Sequence, residues 1–344
     1  MLTRNIPGGL SGELSGESSL KNVLLRGGGL VWLAVWLCCA ALAMETAAVA
    51  QTSAALDEKI ASKLEKIRAA ERGQLTLTQR QVGVLWGLVA IDYDDGMDYP
   101  RAEDAYGRAL VILGGIPAAA QDYTRLLDHL GTLYLITGRL EEAETCRKKA
   151  LTQYQKLGVR QDIAVSEEML AEALLMRRRF KDAEREAAEA LRMLEADPAA
   201  ADKFDVASTL ITLAYARCLQ KDCAQGEKDA DRAVMLARTY FEPNSLLYGQ
   251  ALFALGFAKE RMGQPKEAEA AMLQGLQIMK LHLPASDRRV VGSLWQYRNF
   301  LVEMHRKAEA NRIEQEVASL RDQHPSCNGC TVSVKTLSGL SGLR

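Results

Sequence analysis

Pairs of small or short apolar residues seven positions apart recur along this chain at a nearly constant interval. They appear as Ala102/Ala109, Ala143/Ala150, Ala183/Ala190, Gly226/Ala233, Ala268/Gly275 and Ala310/Val317, with steps of 41, 40, 43, 42 and 42 between first members. Seven residues are two helical turns, so both small side chains share one helix face and let a neighbouring helix come close. Upstream of each pair lies a second stretch with apolar residues at helical spacing: LWGLVAIDY, LDHLGTLY, EEMLAEAL, LITLAYAR, LFALGFAK and LWQYRNFL. Five of these stretches carry a small residue of their own, at Ala90, Gly131, Ala171, Ala214 and Gly256. Self-similarity at a fixed period of this size marks a repeat architecture. Each unit is therefore expected to be two amphipathic helices joined by a tight turn, at Asp94-Asp95-Gly96, Thr137-Gly138 and Met262-Gly263. Pro117, Pro198, Pro243 and Pro284 punctuate the ends of units, because proline lacks an amide donor and blocks helix continuation. Gly158 takes that place in the second unit.

From about Gln81 to Leu320 the chain resembles a tetratricopeptide-repeat array. Trp86, Ala90, Tyr93, Tyr99, Ala102, Tyr106 and Ala109 carry the family pattern in the first unit; Leu127, Gly131, Tyr134, Leu140, Ala143 and Ala150 carry it in the second. The long step is similar to that of kinesin light chain-type repeats. Arg217, Lys259 and Arg298 depart from the pattern, standing where small or apolar residues are expected. The resemblance implies an all-α fold, a right-handed superhelical solenoid of about six helix–turn–helix repeats, with the sixth as a solvent-facing cap. It also implies binding of a protein or peptide on the concave face lined by first helices.

Helical phase places Ile91, Arg125, Asp128, Leu135, Glu168, Glu172, Ile211, Tyr215, Phe253, Phe257, Trp295 and Asn299 on that face. Arg125, Asp128, Glu168 and Glu172 make its middle charged and mainly acidic. Phe253 and Phe257 are the expected apolar anchors, because aromatic rings dominate binding hot spots. A clamp for a C-terminal carboxylate is not expected, since Ile91, Thr132 and Glu172 stand where such clamps use Lys and Asn.

Residues 1–50 read as a leader and signal peptide, 51–80 as an N-terminal capping helix, 81–322 as the solenoid and 323–344 as a tail. Leu30 to Ala43 is an apolar run following Lys21 and Arg26, shorter than the twenty or so residues a membrane-spanning helix needs. Ala48-Val49-Ala50 supplies a cleavage pattern, which makes the mature chain periplasmic or secreted; an uncleaved anchor in the inner membrane is the alternative. Lys and Arg number 43 against 44 Asp and Glu, a net charge of -1, so no global field favours nucleic acid or, after cleavage, a membrane. The cluster Arg177-Arg178-Arg179 with Lys181 reads as solvated charge at a helix turn.

Cys218/Cys223 and the Cys327-Asn328-Gly329-Cys330 tail are candidate disulfide pairs in an oxidising compartment. No nucleophile–base arrangement, phosphate-cradling glycine loop or set of metal ligands accompanies the repeats. The expected function is thus a non-catalytic scaffold in the cell envelope, with no cofactor and no metal, that binds a protein or peptide. A thiol–disulfide accessory using the tail and a self-associating structural array are the alternatives.

Overall fold

Each half-period of the sequence repeat folds into one helix, most of them with an apolar stripe at a 3.6-residue spacing. A computed structural model of the chain describes residues 54–196 and 201–323. The chain divides into two units, Met1–Ser62 and Lys63–Arg344. Of the first unit, residues 54–62 are described; they open helix α1, which spans 54–71. The described part of the second unit is all-α: the rest of α1, then helix pairs. First helices are α2 (Gln79–Asp95), α4 (Ala120–Ile136), α6 (Arg160–Met176), α8 (Lys203–Leu219), α10 (Leu246–Arg261) and α12 (Arg288–Glu303). Second helices are α3 (Tyr99–Gly114), α5 (Leu140–Leu157), α7 (Phe180–Glu195), α9 (Cys223–Tyr240), α11 (Pro265–His282) and α13 (Lys307–Gln323). A central first helix such as α8 packs on its own partner α9, on the preceding second helix α7, and on the preceding first helix α6. That nearest-neighbour pattern is a solenoid. Among the described residues no helix is long and apolar enough to cross a membrane.

The small residues lie at the helix crossings. Ala102, Ala109, Ala143, Ala150, Ala183, Ala190, Ala233, Ala268 and Ala310 are all fully buried. A Cβ added at Gly275 would stand 2.6 Å from the Gly249 carbonyl oxygen, and one at Gly256 would stand 2.9 Å from that of Ala268. The backbones of α10 and α11 therefore touch where those glycines meet, and larger side chains would hold the helices apart.

The turn inside each pair is built the same way six times among the described residues. One residue takes a left-handed φ: Met97 (58°), Gly138 (76°), Arg178 (62°), Lys221 (72°), Gly263 (74°) and His305 (59°). The next residue's amide reaches back five positions, as in Arg139 to the Tyr134 carbonyl (2.8 Å) and Gln264 to that of Lys259 (2.9 Å). This is the Schellman closure, which satisfies helix-end carbonyls and reverses the chain. The expected turn at Asp94-Asp95-Gly96 is shifted by one position. Gly96 has φ −79°, and the left-handed residue is Met97. Among the expected punctuating prolines, Pro117 opens a short 3-10 turn before α4, and Pro198 lies outside the described residues.

An acidic residue directly after the first small residue of each of the first five pairs ties one repeat to the next. Glu103 accepts from Arg139 (2.7 Å) and from the Tyr134 hydroxyl (2.9 Å). Glu144 accepts from Arg177 and from Arg179, Glu184 from Arg217 (3.1 Å), Glu227 from Lys259 (2.7 Å), and Glu269 from Arg306 and the Tyr297 hydroxyl. Such partly exposed pairs contribute about 0–1 kcal/mol each, so apolar packing rather than this ladder holds the stack. The ladder explains Arg217 and Lys259, which depart from the apolar pattern because each reaches the preceding repeat. It also corrects the reading of Arg177 and Arg179 as solvated charge: both converge on Glu144, which is 4% exposed.

Candidate functional site

On every first helix, the positions three before and one after the small residue, whose place Arg298 takes on α12, point the same way. In chain order these are Gly87/Ile91, Asp128/Thr132, Glu168/Glu172, Ile211/Tyr215, Phe253/Phe257 and Trp295/Asn299. This row faces inward. Arg288, the first residue of α12, donates to Glu172 of α6 (2.8 Å) and touches the Met176 sulfur (2.6 Å), although two helix pairs separate the elements along the stack. First helices that far apart meet only if the row is concave.

Repeats two and three make the inner face polar. Arg147 comes from the second helix α5, is 1% exposed, and crosses above Gly131, where a Cβ would stand 3.0 Å from its Nε. It donates to Asp128 (3.1 Å) and to the Thr132 hydroxyl (2.7 Å). Burial pushes the Asp128 carboxyl up, against the pull of Arg147. Glu168 and Glu172 follow, one turn apart and half-buried. Burial and the neighbouring Glu172 charge raise Glu168 to about 7, although the hydroxyls of Thr212 (3.0 Å) and Ser208 (3.3 Å) donate to it. Burial acts on Glu172 as well, but Arg288 outweighs it and holds that carboxyl below its ordinary value. Farther along, burial raises Glu260 to about 7 while Gln296 donates to it at 3.1 Å.

Repeats four to six fill the same row with apolar packing. Phe253 and Phe257 are each 2% exposed and lie in one cluster with Met272, Leu276, Val290 and Leu294. The Tyr215 ring tilts against Phe257 at 5.3 Å between centroids, and the Arg261 guanidinium covers Phe257 at 5.6 Å. This corrects the assignment of Phe253 and Phe257 as ligand anchors on an open groove. Helix α10 is buried on all sides from Ala251 to Ala258, so its inward positions are core. Ile211 and Tyr215 are half-buried against neighbouring clusters, and Trp295 packs on the same core beneath Arg298. Asn299 is buried and bonded to Arg298 (3.3 Å). Leu135 is buried, whereas Arg125 is exposed.

Helical phase thus brings Asp128, Glu168 and Glu172 together and misses the side chains that organise them. Arg147 sits on a second helix and Arg288 at a helix start, neither in the inward register. The signal that could have exposed the ladder was an acid after the small residue in five successive repeats. Cys218 and Cys223 are buried free thiols, not a disulfide; Cys327 and Cys330 lie outside the described residues. Among the described residues no group of three or more His, Cys, Asp or Glu is placed to hold a metal ion.

Residues 122–196 and 205–280, which correspond to α4–α7 and α8–α11, match the tetratricopeptide repeat. Over those residues the chain carries tetratricopeptide repeats, and its described helices form a scaffold of stacked helix pairs. Its fold is shared with BtubC (BKLC) from P. vanneervenii at 21% identity and a TM-score of 0.53, over 67% of this chain and 94% of that one. The apo form of RapI aligns at 14% identity and a TM-score of 0.62, over 78% of this chain and 94% of that one. The Rap conjugation gene regulator of plasmid pLS20, solved with the Phr* peptide, aligns at 14% identity and a TM-score of 0.53, over 73% and 77%. No curated protein matches the chain.

Proposed function

We propose that the protein is a non-catalytic scaffold that binds a peptide segment of a partner protein on the inner face of repeats two and three. The segment it fits carries Lys or Arg side chains. The observation that carries this reading is the Glu168/Glu172 pair, half-exposed beside Asp128, with Glu168 held near pH 7 by its surroundings. A carboxylate so placed is relieved by an incoming cation, which restores the ordinary preference for its charged form. The peptide in the pLS20 Rap regulator supports use of this fold for peptide recognition. We place the protein in the cell envelope on the apolar run Leu30–Ala43 and the small-residue pattern before Gln51.

The test is fluorescence anisotropy with labelled peptides of equal length, graded from acidic to basic, on the full chain and on Glu168→Gln/Glu172→Gln. Tighter binding of basic peptides, strengthening as pH rises through 7 and lost in the double variant, is expected. Binding that ignores peptide charge, or survives the double substitution, overturns the reading.

A further inference from the structure

Two cysteines flank the turn of the fourth repeat. Cys218 lies in the last turn of α8 and Cys223 is the first residue of α9, with the left-handed Lys221 between them. The Cys223 thiol donates to the Cys218 carbonyl at 3.4 Å, which brings the two side chains together at the turn, where each thiol acts on the other. Gly226 makes the arrangement fit, since a Cβ there would stand 2.7 Å from the Cys218 sulfur. The two sulfurs are not equivalent. Cys218 is fully buried, while Cys223 keeps 6% of its surface and sits at a helix N-terminus beside the Arg261 guanidinium.

We propose that Cys218 and Cys223 form a redox-active dithiol that small hydroperoxide oxidants convert to a disulfide, with Cys223 the attacking sulfur and Cys218 the resolving one. The adjoining Cys218 thiol favours the Cys223 thiolate against the penalty of burial, and Arg261 adds to it; Asp222, Glu260 and the bond that the Cys223 thiol donates to the Cys218 carbonyl oppose. The helix N-terminus acts in the same direction as Arg261. The same contact pushes the Cys218 thiol up, together with its burial. With hydrogen peroxide, the Cys223 thiolate attacks one oxygen, the O–O bond breaks, and the departing hydroxide takes a proton to become water. The Cys223 sulfur is then a sulfenic acid. Cys218 gives up its proton and attacks that sulfur, the S–O bond breaks, and a second water leaves. Two thiols and one peroxide thus become one disulfide and two waters. The product ties the end of α8 to the start of α9, against the core that holds Phe253 and Phe257.

The experiment treats the full chain with stoichiometric hydrogen peroxide in the presence of dimedone, which traps sulfenic acids, and then maps thiols, adducts and disulfides by peptide mass spectrometry. Cys146 is the internal control, a buried thiol whose pKa burial raises. The wild-type chain is expected to give a Cys218–Cys223 disulfide, reversed by dithiothreitol, at least tenfold faster than Cys146 is modified. Cys218→Ser is expected to accumulate the dimedone adduct on Cys223, and Cys223→Ser to leave Cys218 as a thiol. If both sulfurs of the wild-type chain stay reduced while Cys146 reacts, or if Cys218 carries the adduct in Cys223→Ser, the proposal falls. The wild-type map decides the question even if a serine variant misfolds.

Discussion

The inner face of repeats two and three and that of repeats four to six occupy the same register and behave in opposite ways. In the first region Asp128, Glu168 and Glu172 stay charged or poised to charge, stabilised by Arg147, Arg288 and hydroxyls. In the second, Phe253 and Phe257 are each 2% exposed and belong to the core. One repeat plan therefore yields a polar surface or a hydrophobic core according to what the curvature brings against it. An inward position is a location, and its exposure depends on its neighbours.

The largest expected effect separates the two regions directly. Phe257→Ala should destabilise the protein by about 3–5 kcal/mol in urea unfolding, as deletion of a core ring does. An unchanged midpoint would return Phe257 to the surface and dissolve the contrast. Next is Gly275→Ala, where backbone meets backbone; a loss of about 1–3 kcal/mol is expected from overpacking. Gly131→Ala meets only the Arg147 side chain, at 3.0 Å, which can give way, so a smaller loss is expected in the polar region.

Glu167 sharpens the comparison from the polar side. It stands where other repeats carry Trp86, Leu127, Leu210, Leu252 and Leu294, it is 7% exposed, and its Oε2 has no hydrogen-bond partner. Burial, with Glu189 and Glu186 nearby, raises its carboxyl from 4.5 to about 7. Between those values the folded state holds a proton that the unfolded chain has released, so stability from this group is complete below pH 4.5 and lost as pH rises through 7. Glu167→Gln should therefore stabilise by about 1–3 kcal/mol at pH 8 and by little at pH 4, measured by thermal unfolding across that range. The smallest effect should ignore the boundary between regions. Met97→Gly and Lys221→Gly, at left-handed turn positions, should each stabilise by about 0.5–1 kcal/mol in the same assay, because the turns are alike throughout.

Much of this architecture was legible in the residues. The repeat period, the two helices per repeat and the crossings at small residues all follow from spacing along a single helix, which is local information. Gly138 and Gly263 marked their turns because glycine tolerates a left-handed φ at little cost. Met97, Arg178, Lys221 and His305 adopt the same φ without any such mark, as the closure of the helix pair holds them there. Arg217 and Lys259 looked like decay of the pattern because their acids lie in the preceding repeat.

Sequence by itself determined an all-α repeat of helix pairs, since the apolar stripe and the turn residues act within a few residues of one another. Only the tertiary structure decided which inward side chains remain open. Arg288 reaches Glu172 across 116 residues of chain, and the rings of α10 vanish beneath helices that arrive from before and after it. Phase along a helix sets the direction of a side chain, whereas burial requires a second surface, supplied here by how tightly the stack turns.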